Sequence, residues 1–278
     1  MSDLKNLLKQ YNFDFSKSLG QNFITDTNLL SAIVMDAKIS KEDVVIEIGC
    51  GAGSLTRELC KNAKNVIGFE IDKKLKPILE HTLAEFKNHE IIYENFLNFS
   101  AKELQEFAGG AFKVVANLPY YITTPIITHL IEEDLNIISA TFMVQKEVAQ
   151  RLCARAGTPE YGSITVAVNA VGSCKHLRTI SKNMFMPAPK VDSALIRIDI
   201  DRDKLKITDI EHFRKLYRCA FAMRRKTFVN NILSAFNYSK TEVYDVFEKT
   251  GLICNIRGET LTVEQFAQLS NLFILTHS

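Results

Sequence analysis

Val44-Val45-Ile46-Glu47-Ile48-Gly49-Cys50-Gly51-Ala52-Gly53 restricts this chain more than any other stretch. An apolar run of strand-forming residues passes straight into three glycines at alternate positions, and a helical period around Leu55 to Leu59 follows. Glycines at such a junction let the chain turn tightly and let a ligand approach the backbone. The run is apolar on both faces, as in a parallel strand covered by helices on each side. The alternation then recurs. Val66 to Glu70 reads as a strand and Asp72 to Phe86 as a helix; Ile91 to Tyr93 and Ala101 to Phe107 repeat the pair. Phe112 to Ala116 with Thr124 to Glu132, and Ala140 to Val144 with Lys146 to Arg155, repeat it again. This spacing implies an α/β fold with a mostly parallel sheet covered on both faces.

Upstream, Asp26 is placed to cap a helix that carries Leu29, Leu30, Ile33, Val34 and Ala37 on one face. The residues before it read as irregular. Lys175 to Ile180 and Ala194 to Ile200 have the pattern of a hairpin. After Asp201-Arg202-Asp203-Lys204 the period becomes helical throughout, so a domain boundary is placed there: residues 1–200 form the sheet domain and 201–278 a small all-helical domain.

Composition narrows the class. A hydrophobic content of 46% suits an ordinary globular core. No apolar stretch is long enough to cross a bilayer, and the first residues have no signal-peptide core, so no membrane association and a cytoplasmic location are expected. The six cysteines are scattered without a C-x-x-C pair and read as free thiols, neither disulfides nor a metal site. His81, His89, His129 and His176 lack metal-ligand spacing, and no metal is expected.

The glycine loop asks for a ligand. Dinucleotide sites favour G-x-G-x-x-G, whereas here the spacing is G-x-G-x-G and Ser54 follows. Glu47, two residues before Gly49, suits a ligand with a cationic amino-acid end. Glu70 ends the next strand, where a carboxylate can accept from a ribose diol. S-adenosylmethionine (SAM) has an ammonium, a sulfonium and a ribose diol, and no phosphate.

A second motif, Asn117-Leu118-Pro119-Tyr120, closes the fourth predicted strand at the same edge of the sheet. The N6 amine of adenine is a poor nucleophile, because its lone pair is delocalised into the ring. Two acceptors aimed at its hydrogens favour a more tetrahedral, more reactive nitrogen. The Asn117 side-chain oxygen and a backbone carbonyl at Leu118 or Pro119 can supply them, with Pro119 stiffening the loop. Tyr120 can stack on the base, a contact worth about 1–3 kcal/mol. A third feature is charge. Arg214, Lys215, Arg218, Arg224, Arg225 and Lys226 fall within one segment that holds no Asp or Glu, in a chain of net charge +2. Such a cluster fits phosphate contacts.

These residues resemble the rRNA adenine N6,N6-dimethyltransferase family in its bacterial small-subunit (16S) form, over nearly the whole chain. Ser18-Leu19-Gly20-Gln21-Asn22-Phe23-Ile24 is similar to the family's N-terminal G-Q-N-F-L segment. Gln145-Lys146-Glu147-Val148-Ala149 and Tyr161-Gly162-Ser163 match segments after its fifth strand. Phe185-Met186-Pro187-Ala188-Pro189-Lys190-Val191-Asp192-Ser193-Ala194 resembles its F-x-P-x-P-K-V-D-S-A block. Ala220-Phe221-Ala222-Met223-Arg224-Arg225-Lys226-Thr227 resembles its A-F-x-x-R-R-K-T signature.

The resemblance implies a Rossmann-like SAM-dependent methyltransferase domain followed by a small helical domain. It implies two methyl groups added to each of two adjacent adenosines near the 3′ end of 16S rRNA, within the small ribosomal subunit or its precursor, with no obligate protein partner. By position, Asn22, Ile24, Gly49, Gly51, Glu70, Asn95 and Asn117 would touch the cofactor. Asn117, Leu118, Pro119, Tyr120 and Phe185 would hold the target base, with Tyr120 and Phe185 stacking on it. Arg224, Arg225 and Lys226 would meet the RNA. The chain departs from the family pattern at Asn95 (usually Asp), Ile24 (Leu), Cys50 (Pro) and Tyr121 (Asn). Two rival readings are a large-subunit enzyme of the erythromycin-resistance type and a mainly non-catalytic ribosome-assembly factor. Pro125 and Asp192 favour the small-subunit type, and the intact Asn117 to Tyr120 motif argues against a purely non-catalytic role.

Overall fold

A computed structural model describes residues 2–16 and 19–277. Seven strands form the main sheet: β1 (Val44–Ile48), β2 (Asn65–Phe69), β3 (His89–Ile92), β4 (Phe112–Asn117), β5 (Ile137–Gln145), β6 (Gly172–Ile180) and β7 (Ser193–Ile200). Their spatial order is β3-β2-β1-β4-β5-β7-β6. Each neighbouring pair from β3 to β5 is parallel, and β7 runs antiparallel to β5. The two strands expected as a hairpin are neighbours at the sheet edge. The strand order reverses direction between β1 and β4. In open α/β sheets a crevice forms at that point, beyond the carboxyl ends of the strands. The glycine loop leaves β1 there and Asn117-Leu118-Pro119-Tyr120 leaves β4 there.

The chain falls into two compact units: residues up to 149 together with 175–200, and residues 150–174 together with 201–278. The first unit contains helices α1 (Ser2–Gln10), α2 (Thr27–Asp36), α3 (Ser54–Asn62), α4 (Lys76–Leu83), α5 (Ala101–Ala108) and α6 (Thr123–Glu132). Local chemistry fixes several of their ends. The Asp26 carboxylate accepts from Leu29 N at 2.8 Å and starts α2. Ser100 and Glu103 form a reciprocal capping box on α5, which stops at the left-handed Gly109.

Helix α1 departs from the irregular N-terminus expected of the sequence, because a short segment without a strong cap gives little local signal. Tertiary packing supplies what propensity does not. Leu4, Leu7, Leu8 and Tyr11 recur at helical spacing and pack on Ala52, Leu75, Ile78 and Leu79. The strand core is flanked by a second apolar cluster that includes Leu30, Ile33, Leu59, Val115, Met143 and Leu195.

Helix α7 (Lys146–Leu152) and strand β6 carry the chain out of and back into the first unit. The second unit holds α8 (Ser163–Val171), α9 (Ile210–Ala222), α10 (Phe228–Ala235), α11 (Lys240–Thr250) and α12 (Val263–His277). The change of period after residue 200 falls at the third crossing, where the chain leaves the first unit for the second time. The sequence reading places 150–174 in the sheet domain, whereas α8 packs against α9 and α12. Tyr161, ahead of α8, is buried and its hydroxyl donates to the Leu261 carbonyl at 2.9 Å. No helix among the described residues is long and apolar enough to cross a membrane.

Candidate active site

The crevice beyond β1 and β4 holds a cavity that opens to solvent. Its walls include Asn22, Ile24, Gly49, Gly51, Glu70, Asn95, Asn117, Leu118, Pro119 and Tyr120. Residues from five separate stretches of sequence therefore share one space.

Backbone geometry explains the glycines. Gly49 and Gly51 have φ of +81° and +55°, a region that side chains disfavour. A Cβ on Gly51 would also stand 2.9 Å from the Phe23 ring. The Gly51 N–H donates to Glu70 Oε2 at 2.8 Å, and Asp72 N donates to Glu70 Oε1 at 2.8 Å. Glu70 is thus held from both sides. Burial raises its pKa, against the pull of these hydrogen bonds.

Glu47 differs. It is fully buried on the cavity wall, and neither carboxylate oxygen makes a hydrogen bond of ordinary length, although the Thr56 hydroxyl and the Cys50 thiol stand near enough to act on it. Burial pushes it up to about 8 against the pull of Thr56 and Cys50, and the neighbouring Glu70 charge acts in the same direction as burial. A buried acid without a partner is costly unless a ligand supplies one. The reading of the residues gives Glu47 a ligand's cationic end, but the cofactor-contact set implied by family resemblance leaves it out. Its missing partner is visible only once the strands are paired.

The segment after Leu19 is tied to the cavity by side chains. Asn117 Nδ2 donates to the Asn22 carbonyl at 2.9 Å, and Asn22 Nδ2 donates to the Gly20 carbonyl at 2.9 Å. Gln21 Nε2 reaches Asp72 Oδ2 at 2.7 Å. Ser18, the first residue of that motif, lies outside the described residues. The bond to Asn22 orients the Asn117 amide, so its Oδ1 is the atom left for a ligand. Around the tetrapeptide, the Pro119 carbonyl already accepts from Ile122 N at 3.2 Å and Thr123 Oγ1 at 3.1 Å. Both its lone pairs are engaged, which leaves the Leu118 carbonyl as the remaining candidate acceptor. Asn95 Oδ1 accepts from Leu97 N at 3.1 Å, so this side chain retains one lone pair and its amide hydrogens.

Of the two rings expected to stack, Tyr120 lines the cavity and its hydroxyl lies 3.0 Å from Ser193 Oγ. Phe185 does not line it. Phe185 is 5% exposed and belongs to the apolar cluster with Val115, Met143 and Leu195. Its backbone pairs with Ile24, and that of Met186 with Phe23, in a two-residue antiparallel ribbon. The pairing draws the ring into the core, which the sequence spacing could not show.

The basic triplet lies in the second unit. Arg224, Arg225 and Lys226 are exposed on the turn between α9 and α10. Asn231 Nδ2 holds the end of α9 by donating to the Ala220 carbonyl at 3.1 Å, and Thr227 caps α10. Arg224 pairs with Glu259 at 3.3 Å and donates to the Pro159 carbonyl at 3.2 Å. No group of three or more metal-ligating side chains occurs among the described residues.

The strand order, the glycine turn and the paired acids define a methyltransferase of the Rossmann-like class. Residues 12–275 match the family model described as ribosomal RNA adenine dimethylase, and the chain belongs to that family. It is 44% identical to ribosomal RNA small subunit methyltransferase A of Bacillus mycoides, covering 98% of this chain and 95% of that protein. It is 43% identical to the protein of the same name from Clostridium botulinum, covering 96% and 97%. Among solved structures it resembles a dimethyladenosine transferase from Plasmodium falciparum, with a TM-score of 0.79, 25% identity and coverage of 92% and 98%. It also resembles the 23S rRNA methyltransferase ErmE, with a TM-score of 0.71, 26% identity and coverage of 91% and 100%. The family and fold imply SAM as the methyl donor. The cavity fits it: the orphaned Glu47 carboxylate suits an ammonium, and Glu70 keeps lone pairs for a ribose diol.

Proposed function

We propose that this protein dimethylates N6 of two adjacent adenosines near the 3′ end of 16S rRNA, in the small ribosomal subunit or its precursor. The observation that carries the reading is a single cavity shared by the glycine loop and Asn117-Leu118-Pro119-Tyr120. The relatives at 43–44% identity bear small-subunit names, which favours that rRNA over the 23S substrate named for the 26% relative. The reading places the protein where rRNA is made and assembled, in the cytoplasm.

Glu47, Glu70, Asn95 and the Gly49–Gly51 backbone would hold SAM, with Asn22 and Ile24 covering it. When bound, SAM supplies an electrophilic methyl on a sulfonium. In the first transfer Asn117 Oδ1 and the Leu118 carbonyl accept the two N6 hydrogens and hold the nitrogen lone pair in line for attack. The methylated nitrogen then loses one proton to water. Its remaining hydrogen turns to one of these acceptors for the second transfer, after which that proton leaves in the same way. Tyr120 stacks on the base, and Ser193 fixes the ring by its hydroxyl. The adenosine must leave its stack to reach these groups. Positioning of this kind accounts for most of the acceleration, so no strongly basic side chain is required. Arg225 and Lys226 contact phosphate, with Arg224 shared between RNA and Glu259.

The test is methyl transfer from labelled SAM to undermethylated small subunits, followed by nucleoside analysis. Dimethyladenosine in 16S rRNA is expected. Label in 23S rRNA alone, or tight subunit binding without label, would overturn the reading. Asn117→Ala removes an acceptor, and by analogy with loss of one preorganised hydrogen bond its kcat should fall by about 100-fold or more.

A further inference from the structure

Outside the cavity, one pair of nucleophiles stands apart. Cys153 follows the last residue of α7, and Cys174 lies near the start of β6. Their sulfurs are 2.7 Å apart, and this is the one sulfur–sulfur contact among the described residues. Both residues are partly exposed. Cys50, Cys60 and Cys219 are buried, and Cys254 is exposed. The two cysteines bracket α8 and so mark the two ends of the 150–174 segment that packs in the second unit.

We propose that Cys153 and Cys174 form a thiol–disulfide exchange site that reacts with low-molecular-weight disulfides and closes the 153–174 segment into a covalent loop. A disulfide needs two sulfurs that can approach to bonding distance, and these already stand 2.7 Å apart. The order of events follows from the thiols. Either sulfur can donate in this contact, so the pair shares a proton and one thiolate; Cys174 is the more deeply buried of the two, which favours the thiolate on Cys153. The thiolate is the attacking form. Cys153 therefore attacks the small disulfide, forms a mixed disulfide and releases one small thiolate. Cys174 then gives up its proton, and its sulfur attacks that of Cys153 and expels the second small thiolate. Two protein thiols are oxidised, one small disulfide is reduced to two thiols, and the charges balance with the two protons released. The other cysteines cannot follow this course. Burial pushes Cys60 and Cys219 up to about 12 and raises Cys50 well above the ordinary thiol value, while exposed Cys254 has no second thiol beside it and stops at a mixed disulfide. Where the surroundings are reducing, such a bond is a reversible mark and not a permanent staple.

The full chain is equilibrated with oxidised and reduced glutathione, quenched by alkylation and digested with trypsin without reduction. The peptide Leu152–Arg155 should appear joined to Ala156–Lys175, with the loss of two hydrogens and a fall of two in the thiol count beyond any thiol that carries glutathione. Glutathione on Cys254 serves as the internal sign that the oxidant acted. Cys174→Ser should stop with glutathione on Cys153, whereas Cys153→Ser should leave Cys174 largely unmodified. In the unfolded chain the preference for this linkage should vanish. Glutathione on Cys254 with the two peptides unlinked would overturn the proposal. So would equal linkage to other cysteines in the folded protein.

Discussion

Glu47 is an acid held at the wall of a cavity with no ion-pair partner among the described residues. Its pKa is raised from the ordinary 4.5 to about 8, because burial penalises the charge. The sign follows from linkage. Below about 4.5 the group is neutral in both folded and unfolded chains and its contribution is fully present; that contribution is lost as pH rises towards 8. Above that, the folded state carries a constant cost on the order of a few kcal/mol. Glu47→Gln removes the titration and should be more stable than wild type at pH 8.5, with little difference at pH 4.5, in thermal or urea unfolding without ligand. Binding has the opposite dependence. A ligand ammonium favours the ionised form, so affinity for SAM should rise with pH up to about 8 and binding should release a proton. Calorimetry in buffers of different ionisation enthalpy measures that release. Equal heats in all buffers would mean that Glu47 does not meet the ammonium. Glu47→Gln should bind more weakly and lose the pH dependence. The identities of these side chains were legible in the sequence, but their hydrogen bonds were not. Whether Leu118 or Pro119 keeps a free carbonyl is settled by Thr123, four residues beyond Pro119. Where Phe185 points is settled by pairing with Ile24, far away in the chain.

At the scale of elements, sequence patterns succeeded where period and turn chemistry agree. Strand β1 passes into the glycine turn and α3, and the matching run into Asn117 does the same at β4. The pattern was silent at α1, whose apolar stripe needs Leu75 and Leu79 to pack against, and at α8, which is held by α9 and α12. The glycine turn itself is testable as an element. Gly51→Ala combines a left-handed backbone, costing roughly 1–2 kcal/mol, with a clash on Phe23. That ring cannot easily give way, because it lies 5.3 Å from Phe15 and 6.0 Å from Phe13, centroid to centroid. The Gly51 N–H would also turn from Glu70. SAM affinity should therefore fall by about tenfold or more, along with the melting temperature. Gly109→Ala supplies the comparison. It also has a left-handed backbone, at the end of α5, but open space around its Cβ. It should lose stability alone and bind SAM as wild type does.

Over the whole molecule the charge is nearly balanced, at +2, so long-range attraction to a polyanion must come from local concentration and not from the total. Six cations lie between Arg214 and Lys226 without a carboxylate among them, but the fold spends them unequally. Arg214 is bound to Glu211 at 2.6 Å and Arg224 to Glu259 at 3.3 Å. Arg225 and Lys226 are exposed on the α9–α10 turn, and neither makes an ion pair among the described residues. Counting charges along the sequence treats the triplet as equivalent, because the acid that neutralises Arg224 lies in a distant part of the chain. Removing a side chain that meets one phosphate should lower the slope of log affinity against log salt by about 0.7–0.9. Arg225→Ala and Lys226→Ala should each show that full decrement on a 16S rRNA fragment. Arg224→Ala should show less, because removing it frees Glu259 and loosens the hold on Pro159. Titrations at several salt concentrations measure the three slopes. Equal decrements would place Arg224 on phosphate despite its acidic partner, and an unchanged slope in Arg225→Ala would remove this turn from the RNA interface.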